Sequence, residues 1–157
     1  MQNTLCFHSV SAKSLNQNVN LSEESVFGTF GRHVIVDFSG CDFEKLADLN
    51  FIKETMEQGV IKSKATIISS KFHKFSPTGV SGIILLAESH ASIHTWPHEG
   101  YASMDIYTCG EHIMPETAFQ YIALELKAKV SHITFIDRGL KNDYFYNHIV
   151  REQRLDV

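Results

Sequence analysis

The sequence predicts an α+β fold, a two-layer α/β sandwich in which an antiparallel sheet carries helices on one face. Three observations predict it. Short strand-like segments follow one another without strict strand–helix alternation, two segments carry apolar residues at helical spacing, and Pro77 with Gly79 marks a turn between two of the strands. At 157 residues, 43% of them hydrophobic, the chain is long enough for one core and gives no ground for two.

Residues 1–28 are rich in Ser, Asn and Gln without a sustained period, and read as an N-terminal extension, mobile or docked on something else. HVIVDF (33–38) has the β-branched and aromatic content of a strand, and SGCD after it is turn chemistry. Asp42 is placed to cap a helix whose apolar face is Leu46, Leu49, Ile52, Met56 and Val60. ATIISSKF (65–72) and VSGIILLA (80–87) read as a hairpin through HKFSPTG. ASIHTW and YASMDIYTC follow as strands around the turn PHEG. Pro115 occupies a first helical position ahead of an apolar stripe of Ala118, Phe119, Ile122 and Leu126. HITFI (132–136) supplies the last strand, and 140–157 remains as a tail.

Composition narrows the function. A net charge of −4, from 14 basic and 18 acidic residues, gives no electrostatic footprint for a nucleic-acid partner. Cys6, Cys41 and Cys109 are odd in number, widely spaced and without a CxxC pair, which points to a reducing, cytoplasmic setting. The N-terminal residues lack a basic start and an apolar core, and GIILLA is too short to span a bilayer, so neither secretion nor membrane insertion is expected.

The stretch ESHASIHTWPHEGYASMDIYTCG (88–110) concentrates the chemistry. His90, His94 and His98 are four apart, but in extended backbone that spacing separates neighbours by about 13 Å. Zinc ligands must converge within about 2.1 Å of one ion, so no metal is expected there. Ser89, His94 and Cys109 offer a hydroxyl, a base and a thiol. No GxSxG elbow surrounds Ser89, and strand alternation sends Ser89 and His94 to opposite faces unless the backbone bends or breaks between them. Taken singly, each residue has an ordinary use: Cys109 as a small apolar filler, Trp96 and Phe75 as core, His90 and His94 as structural histidines.

Taken together, ESHASIHTWP and GYASMDIYTCG, with upstream FGRH and HKFSPTGVSG, closely resemble the short prokaryotic class of S-adenosylmethionine decarboxylases, which are pyruvoyl enzymes. The resemblance runs from about residue 29 to 139, a domain with 1–28 and 140–157 outside it. It implies self-cleavage between Glu88 and Ser89, with Ser89 becoming a pyruvoyl group that forms a Schiff base with the substrate amine. Decarboxylation leaves electrons on the α-carbon, and such a carbonyl is the sink that ordinary side chains lack. By the same resemblance His94 is the proton acceptor in processing, Ser81 supports the oxyanion of the acyl shift, and Cys109 is the proton donor in catalysis. Phe75 and Trp96 are expected to line the S-adenosylmethionine site. Where many relatives place a ribose-binding glutamate after Trp-Pro, this chain has His98, with Glu99 next. The resemblance further implies a homodimer of two-chain protomers and a product used in spermidine synthesis. The alternatives are an arginine or ornithine decarboxylase of the same pyruvoyl chemistry, and a non-enzymatic paralogue.

Overall fold

Val34, Val36 and Phe38 are fully buried and alternate with the half-buried His33, Ile35 and Asp37, so the first strand, β1 (Gly31–Ser39), gives one face to the core and the other away from it. The computed structural model describes residues 29–110, 112–141 and 144–156. The extension expected over 1–28 lies outside the described residues.

After β1 come two helices where one was expected: α1 (Phe43–Ala47) and α2 (Leu49–Lys62). The break has a physical cause in Asp48, which sits in extended backbone and whose carboxylate accepts from the backbone N–H groups of Asn50 and Phe51. A side chain that satisfies those otherwise unpaired donors begins a helix of its own. Asp42 caps α1, accepting from Lys45 N–H as its place in the sequence suggests. The expected apolar face survives the break, since Leu46, Ile52, Met56 and Val60 are all fully buried and Leu49 packs beside them.

The hairpin of β2 (Ile67–Lys74) and β3 (Val80–Leu86) is antiparallel, and so is the pair β4 (Ser89–Trp96) and β5 (Tyr101–Cys109). The PHEG turn between the latter is a short 3₁₀ turn, Pro97–Glu99, closed by Gly100 at φ 57°, a left-handed position that suits glycine. Pro115 opens α3 (Pro115–Glu125) at its first turn. The last strand is not the 132–136 segment: β6 (Val130–Lys141) is longer, and β7 (Tyr144–Asp156), within the expected tail, pairs with it antiparallel.

Among the described residues the strands form one seven-stranded sheet, order β2-β3-β4-β5-β1-β6-β7, with every neighbouring pair antiparallel. All three helices lie on one face, which is the two-layer sandwich expected. Their layer is sealed by Ile84, Ile93, Ala102, Met104, Ile106, Ile133 and Phe135, all with little or no exposure. With Thr108 and Ser131, Thr95 is one of the polar residues on that face. Its hydroxyl donates to Leu46 O at 2.9 Å and accepts from Val80 N–H at 2.8 Å, tying β4 to α1 and β3 without a buried polar loss. Among the described residues the opposite face carries no helix, and it presents Ser81, Ile83 and Leu85 from β3, His90, Ser92, His94 and Trp96 from β4, and Asp105, Tyr107 and Cys109 from β5. No helix among the described residues is long and apolar enough to cross a membrane.

Candidate active site

The Glu88–Ser89 junction lies where the β3–β4 turn meets the end of β5. Glu88 is buried, its carboxylate accepting from Thr66 N–H at 3.0 Å. Its backbone carbonyl accepts from Cys109 N–H at 3.2 Å. Ser89 is paired with Thr108, so the junction and Cys109 stand side by side on adjacent strands. On the other side of Cys109 is Gly31, where a Cβ would lie 2.9 Å from Cys109 Sγ and 2.7 Å from Thr108 O. Glycine at 31 is therefore what lets the thiol keep this position. Cys109 Sγ lies 3.9 Å from Tyr107 Oη. Burial and the neighbouring Cys109 push the Tyr107 phenol up, against the opposing charge of the Arg138 guanidinium, which rests over the ring at 4.8 Å.

A polar network runs away from the junction across the helix-free face. Ser89 Oγ is 3.2 Å from His90 Nδ1, and His90 Nε2 is 3.1 Å from Asp105 Oδ2. The same oxygen is 2.8 Å from His33 Nε2, while Asp105 Oδ1 accepts from Ser92 Oγ. Arg138 Nη1 is 3.3 Å from His33 Nδ1. Burial by itself would raise the Asp105 carboxyl, but hydrogen bonds from His33 and Ser92 and the charges of His33 and His90 hold it down at about 2. His33, His90 and Asp105 offer ligand atoms within 4.8 Å of one another, and here those atoms are joined by hydrogen bonds with a guanidinium at one end.

The remaining residues singled out from the sequence lie elsewhere. Ser81 Oγ and His94 Nδ1 share a hydrogen bond of 2.7 Å across the β3–β4 pair. Trp96, 48% exposed, has its ring 6.3 Å from that of His94 and 5.3 Å from Tyr101. Phe75, 50% exposed just beyond β2, packs edge-on against His73. His98 and Glu99 are exposed on the 3₁₀ turn, with the His98 ring 5.2 Å from Phe43 of α1, on the helix side. Thus Glu88, Ser89 and Cys109 come together at one end of the central strands, and Ser81, His94 and Trp96 toward the other. Ser89 and His94 belong to one unbroken strand and stand five positions apart, about 16 Å at 3.3 Å per residue.

Periodicity and motif do not single out His33, Asp105 or Tyr107, and they give His90 only a structural use. A cue is present, because Asp105 and Tyr107 alternate with Cys109 along YASMDIYTC and so share its face. What no single segment reveals is that His33 of β1 lies across from Tyr107, one strand away.

A sequence model described as S-adenosylmethionine decarboxylase matches residues 32–139. The chain belongs to the S-adenosylmethionine decarboxylase family. It is 44% identical over 131 residues to an S-adenosylmethionine decarboxylase proenzyme of Pyrococcus horikoshii, covering 82% of this chain and 94% of the relative. A Geobacillus proenzyme of the same name is 49% identical over 113 residues, covering 72% and 90%. The crystal structure of the adenosylmethionine decarboxylase from Aquifex aeolicus VF5 superposes with a TM-score of 0.69 at 38% identity, covering 74% of this chain and 97% of that one. The matched span of the S-adenosylmethionine decarboxylase family takes in β1 through most of β6, hence both groups of side chains on the helix-free face.

Proposed function

We propose that this chain is an S-adenosylmethionine decarboxylase proenzyme that cuts itself between Glu88 and Ser89 and then forms decarboxylated S-adenosylmethionine, the aminopropyl donor for spermidine. The observation that carries the reading is the junction itself: the carbonyl to be attacked is already held by the Cys109 N–H, beside the thiol assigned as proton donor. Ser89 Oγ adds to the Glu88 carbonyl carbon, and the charge developing on oxygen falls on that N–H. His94 removes the Ser89 α-proton, Glu88 leaves as a carboxylate, and water hydrolyses the resulting dehydroalanine, releasing ammonia and leaving a pyruvoyl group at 89. When formed, that group supplies a carbonyl able to condense with the substrate amine and take up the electrons released with carbon dioxide. Cys109 holds the proton destined for the substrate α-carbon. Phe75 and Trp96 offer ring faces to the adenine and the sulfonium, a cation attracted by about 0.5 to 2 kcal/mol. By their place directly after Trp-Pro in the sequence, His98 and Glu99 are assigned to the ribose. The relatives' names favour S-adenosylmethionine over arginine or ornithine, and a complete set of processing residues favours an enzyme over a paralogue without activity.

The reading also calls for two copies. His94 cannot reach the Ser89 α-carbon of its own strand across about 16 Å. A second chain facing the first through the helix-free surface brings the Ser81–His94 pair of one to the Glu88–Ser89 junction of the other. Ile83 and Leu85, 51% and 50% exposed on that surface, supply apolar area for such contact. Purified chain should yield two polypeptides by mass spectrometry, and Ser89→Ala one intact chain. Mixing decides the rest: His94→Ala chain should be cut only when co-folded with Ser89→Ala chain, because the mixed pair contains one complete site. Cutting of His94→Ala chain on its own would refute the shared site, and an intact wild-type chain would refute self-cleavage.

A further inference from the structure

Ester formation at the junction needs a base for the Ser89 hydroxyl. His94 of the same strand is about 16 Å away, and the His94 brought there by a second chain is assigned to the later removal of the Ser89 α-proton. The residue that touches Ser89 is its own neighbour. His90 Nδ1 lies 3.2 Å from Ser89 Oγ, and its other nitrogen lies 3.1 Å from Asp105 Oδ2. The imidazole tautomer with its proton on Nε2 donates to Asp105 and leaves Nδ1 to accept from the serine hydroxyl. Asp105 is itself fixed by His33 and by Ser92 on its second oxygen, so the imidazole is oriented from behind. A hydroxyl, a base and a carboxylate orienting that base are thus in line, beside a carbonyl already held by a backbone N–H.

We infer that His90 is the general base of the first processing step and that Asp105 is its positioning residue. This rests on the self-cleavage reading and adds a step to it. His90 Nδ1 takes the Ser89 hydroxyl proton as Oγ bonds to the Glu88 carbonyl carbon, and the carbonyl π pair moves onto the Glu88 oxygen beside the Cys109 N–H. When that pair returns, the Glu88–Ser89 C–N bond breaks, and the proton on His90 passes to the departing Ser89 nitrogen. The product is an ester with a free amine, with no proton gained or lost. Asp105 stabilises the imidazolium between the two transfers. The charged or titratable groups facing His90 are Asp105 and Tyr107 of β5 and His33 of β1, with Arg138 of β6 behind His33.

The test isolates ester formation from elimination. Full-length His94→Ala chain, made by cell-free synthesis, is expected to accumulate an ester at 88–89 that hydroxylamine cleaves, leaving a hydroxamate on Glu88. Adding His90→Ala to that background should slow ester formation by about 100-fold or more, the usual contribution of a general base. Free imidazole should restore it by about tenfold, and Asp105→Asn should slow it to a smaller extent. His90→Asn is made in parallel, and whichever variant has the parent's circular dichroism decides. Ester formed at the His94→Ala rate by folded His90→Ala or His90→Asn chain overturns the inference. So does a slowed His90→Ala chain that imidazole leaves unchanged, since that is the mark of a structural role. A wild-type chain that never cleaves, with no hydroxylamine-sensitive bond in His94→Ala, overturns self-cleavage and this step with it. Where the wild-type chain cleaves, self-cleavage stands, and the His90 variants alone decide whether His90 is the base.

Discussion

At the scale of residues, this protein places its titratable groups where strand alternation makes them meet. Asp105 is held at about 2, below the ordinary carboxylate value near 3.9, by the donors His33 and Ser92 and the charge of His90. A lowered folded value means stability that is present above the unfolded value and lost as pH falls through the folded one. The stability gap between wild type and Asp105→Asn is therefore expected to be full at pH 5 and to close between about pH 4 and pH 2, as read by urea unfolding at each pH. Gly31 makes a different prediction. Alanine there meets Cys109 Sγ and Thr108 O below 3.0 Å, and overpacking of this kind costs about 1 to 3 kcal/mol. Gly31→Ala should lower both the melting temperature and the turnover of cleaved enzyme, whereas a variant with wild-type turnover would mean that the thiol tolerates displacement. Ser89 and Cys109 are legible from sequence through resemblance alone, since neither residue type announces chemistry. His90 is not legible in the sequence because adjacent strand residues ordinarily face apart, and its contact with the Ser89 hydroxyl depends on how the chain enters β4.

At the scale of elements, periodicity finds nearly all of the secondary structure and errs where side chains compete with the backbone. Asp48 divides the expected helix by capping α2, and Asp48→Ala should cost about 1 kcal/mol, seen as a lower urea midpoint with an unchanged slope. Ile106 in β5 shows the opposite kind of position, fully buried beneath the helices. Truncation to alanine there should cost about 2 to 5 kcal/mol by the same measurement. β7 escapes periodicity because the run Arg151, Glu152, Gln153 and Arg154, all exposed, breaks any alternation in its second half. Among the described residues it is the outer neighbour of β6 and pairs with that strand alone, and charged edge strands discourage further pairing. Hydrogen bonds to β6 hold it, and those depend on register rather than on an apolar period.

At the scale of the whole molecule, the described residues put their helices on one side of the sheet and a chemically rich set of side chains on the other. If a second copy packs on that side, replacing Ile83 by Glu and Leu85 by Lys should yield a monomer by analytical ultracentrifugation and abolish cleavage, while leaving circular dichroism unchanged. A monomeric variant that still cleaves would show each chain to be sufficient alone. The sequence by itself determined the α+β class, the core positions and the family, because apolar period, turn residues and ordered motifs are local properties of the chain. Only the tertiary structure decided that Asp105 gathers His33, His90 and Ser92, that Cys109 N–H meets the Glu88 carbonyl, and that His94 stands far from Ser89 on its own strand. The reason is physical: antiparallel register sets which residues of β1, β4 and β5 lie abreast, and register is a relation between strands that no strand encodes alone.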